Sequence, residues 1–204
     1  MGVTRTLLRI GVFGGAFDPP HAAHHALVEA ALAQLQLDAL LVLPTGNAWH
    51  KVRQLSNAHD RIAMARLAYA DLPQVRVDTR ETLRKGPTYS VDTLRELQAQ
   101  YSRATLFLVI GDDQAHALQS WHDWAAVVQI AIICVAARED AAGIAPRFVP
   151  PPGLESRFLQ LRFPVLSVSA TDIRARIAAG QSVTALVSEP VARYIVDHHL
   201  YQSA

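Results

Sequence analysis

His21 and His24 stand three residues apart at the start of an alanine-rich segment that runs to Gln36. Alanine favours helix, and side chains three residues apart lie on one face of a helix. The first turn of a helix has unpaired N–H groups and a partial positive charge, which favour a bound phosphate. Imidazoles beside it can donate hydrogen bonds to phosphate oxygens and stabilise a leaving pyrophosphate. The spacing therefore suggests polyphosphate chemistry, but on its own it is more often a coincidence or a surface pair than a site.

The residues before the histidines predict a phosphate-binding loop. Residues 7–13 form an apolar run of strand length, and the pair Gly14-Gly15 follows it. Glycine permits backbone conformations that a side chain forbids and leaves the space beside it clear, so a ligand can approach the main chain. Asp18 is placed to cap the helix, and the two prolines after it tolerate a first turn that lacks N–H partners. The order strand, loop and helix predicts a bound phosphate between Gly14 and His24.

A second helix start offers the same chemistry further along the chain. Ser169 and Thr171 carry hydroxyls, and the helix that begins there is closed by Gly180. Arg174 lies one turn in, where its guanidinium can bind two phosphate oxygens. An ordinary serine-capped helix fits the same residues.

Two further candidates follow predicted strands. Lys51 lies in the loop 45–56, past the carboxyl end of an apolar run, where open α/β sheets bind ligands, although a solvated basic loop fits as well. Asp113 follows another run and Gly111, and a carboxylate there can accept both hydroxyls of a ribose. Asp112 and Asp113 also suggest a metal pair, but neighbouring carboxylates point in different directions, which disfavours that interpretation.

Short apolar runs and the helices between them must position these residues. The runs cover residues 7–13, 39–44, 75–78, 105–110, 129–136 and 161–164. Helices are predicted between them, including 57–70, with Asn57 as N-cap and Arg61 and Arg66 on the solvated face, and 187–201. The alternation predicts an α/β fold, a Rossmann-like doubly wound parallel sheet in a single domain over residues 1–204. No GxGxxG follows the first run, which argues against a dehydrogenase.

Composition limits the class of partner. The chain has 204 residues, half of them hydrophobic, and a formal net charge of +1, so neither a general nucleic-acid surface nor a membrane surface is indicated. A small phosphorylated substrate fits better. The single cysteine, Cys134, lies in an apolar run and is expected to be buried and inert, which favours a reducing cytoplasm. No apolar segment approaches the roughly 20 residues that span a bilayer. The sequence leaves the oligomeric state open, including a homo-oligomer.

Two of these segments resemble known signatures. Residues 14–24, GGAFDPPHAAH, resemble the GGxFDPxHxGH signature of the nucleotidyltransferase superfamily, with Ala16 and Ala23 departing from its usual residues. Residues 168–174, VSATDIR, resemble the superfamily's ISSTxIR signature, in which Ala170 replaces a serine. The resemblance implies a transfer of a nucleoside monophosphate, with the second segment closing on the triphosphate.

Two more segments narrow the resemblance to bacterial nicotinate-nucleotide adenylyltransferases. Residues 81–94 resemble the family's ExxRxGxSYTxDTL segment, and Gly111, Asp113 and Trp121 match its GxDxxxxxxxW motif. The resemblance implies that these residues bind ATP: Gly14, Gly15, Ala16, Phe17, His21, His24, Gly111, Asp113, Ser169, Ala170, Thr171 and Arg174, of which His21, His24 and Arg174 are catalytic. It implies that these bind nicotinate mononucleotide: Lys51, Thr88, Tyr89, Trp121, with the pyridine ring on its indole, and Arg138. Without it, Tyr89 is typical of a core or groove aromatic.

The implied reaction joins ATP and nicotinate mononucleotide to give nicotinate adenine dinucleotide and pyrophosphate, a step of NAD synthesis. The resemblance also implies Mg²⁺ bound through the ATP phosphates, without a separate metal site on the protein. Three alternatives stay open: another acceptor, such as nicotinamide mononucleotide or phosphopantetheine; a nucleotide-binding protein without activity; and a metal hydrolase that uses the HxxH pair.

Overall fold

One six-stranded parallel sheet organises the computed structural model, which describes residues 8–46, 55–138, 148–164 and 166–202. The strands are β1 (Arg9–Gly15), β2 (Ala39–Pro44), β3 (Val75–Val77), β4 (Thr105–Gly111), β5 (Ala131–Arg138) and β6 (Phe158–Phe163). The helices are α1 (Ala22–Gln34), α2 (Ala58–Ala68), α3 (Arg80–Leu83), α4 (Ser90–Gln100), α5 (Asp112–Ala117), α6 (Trp124–Ile130), α7 (Ala170–Ala178) and α8 (Glu189–Asp197). Single 3₁₀ turns stand at Leu118–Ser120 and Glu155–Arg157.

The order of the strands is β3-β2-β1-β4-β5-β6. The chain first adds β2 and β3 on one side of β1 and later crosses to β4 on the other side of β1. Val12 in β1 pairs with Leu41 on one side and with Leu108 on the other. A crevice opens where the order reverses, outside the carboxyl ends of β1 and β4. The turn from β1 into α1 therefore stands at the position where doubly wound sheets bind ligands.

Alternate strand residues pack against helices on opposite faces of the sheet. In β4, Phe107 and Val109 face a core that includes α1, α2, α7 and α8. Leu106, Leu108 and Ile110 face a second core, which α4 and α6 close. Burial on both faces explains why the strands are nearly continuous apolar runs. Cys134 is buried in the first core, as predicted.

The α/β fold class and the parallel sheet predicted from the sequence are confirmed, and most differences concern the ends of elements. β1 runs from Arg9 to Gly15, so it includes both glycines. β5 begins at Ala131, because Gln129 and Ile130 end α6, whose apolar residues were indistinguishable from a strand. α8 ends at Asp197, not at residue 201, and His199 and Tyr201 then have positive φ. That residues 1–204 form one domain stays a prediction. Within the described part of the chain, no helix is both long and apolar enough to cross a membrane.

Candidate active site

The loop after β1 is shaped by Phe17 and not by the glycines. Neither Gly14 nor Gly15 has a positive φ, so the prediction of an unusual glycine backbone is wrong; Phe17 instead takes φ 48°. The buried ring of Phe17 folds back beneath Gly15, where an added Cβ would lie 3.1 Å from two ring atoms. Gly14 is exposed, and a Cβ there would meet no atom of the described residues within 4 Å. The open space predicted beside the backbone is therefore present at Gly14.

The two histidines lie together at the start of α1. His21 is the N-cap residue, and its backbone N–H donates to His24 Nδ1 at 3.3 Å. The rings are stacked, with centroids 3.7 Å apart, and the ring of Phe17 is 5.2 Å from that of His24. Because Nδ1 of His24 accepts a hydrogen bond, its neutral form carries the proton on Nε2. The positions of the two rings are thus fixed by a backbone hydrogen bond and by packing against the ring of Phe17.

Asp18 has a different role from the predicted helix cap. Its side chain is 1% exposed, and it accepts hydrogen bonds from the Tyr201 hydroxyl at 2.6 Å and from the Ser56 N–H at 3.2 Å. The helix starts at Ala22, so the two prolines precede its first turn and do not lie in it. The prediction that Asp18 caps α1 is wrong, because its carboxylate points into the protein.

The burial of Arg61 differs from what the sequence predicted. Arg61 was expected on a solvated face with Arg66, but it is 2% exposed, whereas Arg66 is exposed as predicted. Its Nη1 donates to the Ala16 carbonyl and its Nε to the Ser56 carbonyl, both at 3.0 Å. Burial lowers the pKa of Arg61, and the nearby Asp18 opposes that shift. The signal was available, because Arg61 has helical spacing with the buried residues Met64, Ala65 and Ala68.

The second helix start lies beside the first loop. Ser169 is the N-cap of α7, and its hydroxyl accepts from the Asp172 N–H at 3.1 Å. Arg174 donates through Nη1 to the Asp18 carbonyl at 2.7 Å and through Nη2 to Thr171 Oγ1 at 3.1 Å. The Ala22 N–H also donates to the Leu186 carbonyl. Two segments about 150 residues apart in sequence, each predicted to bind phosphate, are thus joined by a direct hydrogen bond.

The carboxyl end of β4 carries the predicted aspartates. Gly111 is the N-cap of α5, and an added Cβ would lie 2.7 Å from Asp113 Oδ1, so the carboxylate of Asp113 folds over this glycine. Asp112 accepts from the Phe148 N–H at 3.4 Å, whereas Asp113 accepts from Gln114 Nε2 at 3.1 Å. The two carboxylates have separate partners. Among the described residues, no three His, Cys, Asp or Glu side chains cluster in a way that could hold a metal ion.

Two of the residues predicted for the acceptor lie on the side of the second core. Tyr89 and Trp121 are half-buried and pack against that core, and the Tyr89 ring stacks on His122 with centroids 4.3 Å apart. The hydroxyl of Thr88 is buried and has no hydrogen-bond partner among the described residues. Arg138 is the last residue of β5, at the carboxyl edge of the sheet. Lys51 lies outside the described residues.

Glu81 is a buried acid that the sequence analysis did not single out, although it opens the segment 81–94. It accepts a hydrogen bond from Thr93 Oγ1 at 2.8 Å, and Arg84 donates to the same hydroxyl at 3.2 Å. Burial raises the pKa of Glu81 to about 7, and the hydrogen bond from Thr93 and the charge of Arg84 oppose the shift. The Glu81 carbonyl stands 2.0 Å from where a Cβ on Gly46 would be, so only glycine fits there. Glu81 thus ties the turn before Thr88 to α4 and to the end of β2.

The fold and the site together define the class: a doubly wound α/β protein in which two helix N-termini are linked beside the switch point of the sheet. A model of the cytidylyltransferase-like family matches residues 12–176. A curated relative from Albidiferax ferrireducens, named "Probable nicotinate-nucleotide adenylyltransferase", is 62% identical over 96% of this chain and 99% of its own length. A relative of the same name from Methylibium petroleiphilum is 41% identical over 95% of this chain and 92% of its own. The chain belongs to the cytidylyltransferase-like family and, within it, to the nicotinate-nucleotide adenylyltransferases.

A solved structure agrees on the fold. The nicotinic acid mononucleotide adenylyltransferase of Plasmodium falciparum, solved in complex with NaAD, superposes with a TM-score of 0.75 at 17% identity. The match covers 95% of this chain and 97% of the other. This match shows the fold, and the family model and the curated relatives confirm the family resemblance of the four sequence segments.

Proposed function

We propose that this chain transfers the adenylyl group of ATP to nicotinate mononucleotide, giving nicotinate adenine dinucleotide and pyrophosphate. The observation that carries the proposal is the hydrogen bond from Arg174 to the Asp18 carbonyl, which joins two helix starts in one place. A triphosphate is the ligand for which two such anion-binding ends are suited. The names of near full-length relatives point to the same activity.

The chemistry needs positioning more than a base. A phosphate oxygen of the mononucleotide attacks the α-phosphorus of ATP, the bond from that phosphorus to the bridging oxygen breaks, and pyrophosphate leaves. The attacking oxygen is already anionic, so no proton has to be removed. Catalysis therefore depends on alignment of the two phosphates and on stabilisation of the charge that develops.

Each predicted ATP residue has a role that fits its place. His24 donates from Nε2, and His21 acts beside it, where negative charge grows during the transfer. The exposed backbone at Gly14, with Gly15, Ala16 and Phe17 after it, lies along the α-phosphate. The start of α7, formed by Ser169, Ala170, Thr171 and Arg174, binds the β- and γ-phosphates. Gly111 and Asp113 lie at the neighbouring strand end, where the carboxylate accepts the ribose hydroxyls.

The acceptor binds on the other side of the crevice. Trp121 stacks on the pyridine ring, since an electron-poor ring gains buried area and a favourable π contact on an indole face. Thr88 and Tyr89 line the same pocket, and the buried hydroxyl of Thr88 has its hydrogen-bonding capacity available there. Lys51 and Arg138 supply positive charge for the mononucleotide.

The donors on the protein at this site are imidazoles, a guanidinium, hydroxyls and helix N–H groups, all of which suit an anion. Mg²⁺ prefers oxygen ligands, so the ion enters with ATP and is held by its phosphates and by water. Bound in this way, the ion would supply positive charge that offsets the negative charge of the triphosphate. The cytoplasmic location stays a prediction, and the oligomeric state stays open.

Pyrophosphate release by the purified chain tests the proposal. ATP is supplied with nicotinate mononucleotide, with nicotinamide mononucleotide, with phosphopantetheine, or alone, in the presence of Mg²⁺. We expect stoichiometric pyrophosphate and dinucleotide with nicotinate mononucleotide and a much slower reaction with the other acceptors. Faster turnover of another acceptor would reassign the substrate, and bound ATP without pyrophosphate in any mixture would contradict an enzymatic role.

A further inference from the structure

Tyr201 reaches the phosphate loop from the other end of the chain. Its hydroxyl donates to Asp18 Oδ1 at 2.6 Å across 183 residues of sequence, and Met64 Sδ lies 3.9 Å away. The hydrogen bond is shielded, because Asp18 is almost fully buried and Tyr201 is half-buried. Burial raises the pKa of the Tyr201 hydroxyl, so it stays a donor over the whole physiological range.

The backbone around Tyr201 has an unusual conformation. His199 and Tyr201 have φ of 50° and 63°, which non-glycine residues seldom adopt. Leu200 N–H between them donates to the Ile195 carbonyl at 3.0 Å, which closes the end of α8. A left-handed conformation at two side-chain-bearing residues persists only where other contacts fix it. The hydrogen bond to Asp18 is one such contact.

Asp18 connects to both halves of the site. Its carboxylate is held by Tyr201 and by the Ser56 N–H, and its own main-chain carbonyl accepts from Arg174 at 2.7 Å. Three residues later the chain reaches His21, the N-cap of α1. A shift of Asp18 therefore moves both His21, at the start of α1, and the carbonyl oxygen that Arg174 binds.

We propose that Tyr201 is a positioning residue for ATP: through Asp18 it sets the spacing between the His21 side and the Arg174 side of the triphosphate site. The inference rests on the proposed function for its kinetic consequences. The Tyr201 hydroxyl contacts Asp18 and Met64, so we assign its effect on ATP to the loop that contains Asp18. Loss of the Tyr201 hydroxyl should therefore weaken the binding of ATP. The binding of the acceptor around Tyr89 and Trp121 should be unaffected.

Tyr194 provides a matched control within the same segment. It lies in α8, and its hydroxyl also donates to an aspartate, Asp60 Oδ1, at 2.9 Å. Asp60 belongs to α2 and is outside the loop between β1 and α1. Tyr194→Phe and Tyr201→Phe each remove one hydroxyl that donates to a carboxylate, and only the second touches the phosphate loop.

The test compares the two variants with the wild-type chain. Isothermal titration calorimetry with α,β-methylene ATP gives the Kd for the nucleotide, steady-state assays give KM for each substrate, and urea unfolding gives stability. For Tyr201→Phe we expect the Kd for the analogue to rise about tenfold and kcat/KM for ATP to fall by a similar factor. KM for nicotinate mononucleotide should stay within about twofold, and Tyr194→Phe should match the wild type in all three kinetic and binding values.

Two results would overturn the proposal. One is a Tyr201→Phe variant that binds the analogue as tightly as Tyr194→Phe does. The other is a Tyr201→Phe variant that loses affinity for both substrates alike together with its stability, which would mark a purely structural role. If the wild-type chain makes no dinucleotide, the proposed function fails, and the Kd comparison still decides whether Tyr201 positions the loop. No binding of the analogue to the wild-type chain would overturn both.

Discussion

The rings of His21 and His24 stack with their centroids 3.7 Å apart and an angle of 25° between their planes. The backbone N–H of His21 donates to Nδ1 of His24 in the same turn, so the cap of α1 and the orientation of the second ring depend on each other. Because Nδ1 of His24 accepts this bond, the donor proposed for the developing charge is its Nε2 proton. The two histidines therefore work as one unit whose geometry is set before a substrate binds.

At Gly14, a substitution should affect ligand binding and leave the stability of the fold unchanged. Because an added Cβ would meet no atom within 4 Å in the part of the chain that the structure describes, Gly14→Ala should leave the urea midpoint unchanged. If the empty space belongs to ATP, the same methyl should raise KM for ATP by about tenfold, which corresponds to about 1.4 kcal/mol of lost binding.

Gly11 is the matched control for that substitution, in the same strand. A Cβ on Gly11 would lie 2.6 Å from Leu37 Cδ1 and 3.0 Å from Leu40 Cγ, inside the core. Gly11→Ala should therefore lower the free energy of unfolding by about 1 to 3 kcal/mol through overpacking. A Gly14→Ala variant with normal KM for ATP would show that the space beside this residue is not used.

A substitution at Arg61 tests whether its buried hydrogen bonds stabilise the loop between β1 and α1. Arg61→Met removes the donors to the carbonyls of Ala16 and Ser56 and leaves both acceptors without them in a buried place. Urea unfolding should show a loss of about 2 kcal/mol. Arg66→Met removes the same charge from the exposed face of α2 and should change stability by about 0.5 kcal/mol or less. Equal losses from both variants would contradict the structural role given to Arg61.

The sequence allowed the fold class and several helix ends to be predicted because their signals are local. Alternating apolar runs and helix caps are short-range patterns, and Asn57 and Ser169 cap α2 and α7 as expected. Glycine beside a phosphate site is also a local feature, and the open space at Gly14 was predicted for that reason.

The contacts that could not be predicted are long-range. Asp18 was assigned to the helix beside it, whereas its partners are Ser56 and Tyr201, far along the chain. A buried acid with a cap-like position cannot be told from a true cap without the tertiary fold. Arg61 differs, since its spacing with buried residues of α2 was visible, but a charged residue on an apolar face is usually exposed and was interpreted so.

Glu81 predicts a pH-dependent stability. Its pKa of about 7 in the folded chain lies above its usual value of 4.5, so between these values the folded state holds a proton that the unfolded state has lost. Stability therefore falls as pH rises through this window, by at most about 3 kcal/mol, and the loss is complete above pH 7 or so. Glu81→Gln does not titrate and should escape this loss.

Urea unfolding of both chains from pH 5 to pH 8 measures the effect. The free energy of unfolding of Glu81→Gln relative to the wild type should increase steadily over that range and level off at the alkaline end. The hydroxyl of Thr93 can still donate to the amide oxygen, so the substitution keeps this hydrogen bond. A difference that stays constant with pH would show that Glu81 titrates normally.

His24 and His25 offer the most direct test, because they are adjacent and only His24 is proposed to act in the transfer. His25 instead lies 3.2 Å from Asp71 and 3.3 Å from Glu29, in exposed pairs that contribute little to stability. We measure kcat with saturating ATP and nicotinate mononucleotide for His24→Ala and His25→Ala, after circular dichroism has shown both to be folded. We expect a loss of about 100-fold or more for His24→Ala and a change within about twofold for His25→Ala. Near-normal turnover by a folded His24→Ala variant would contradict this expectation.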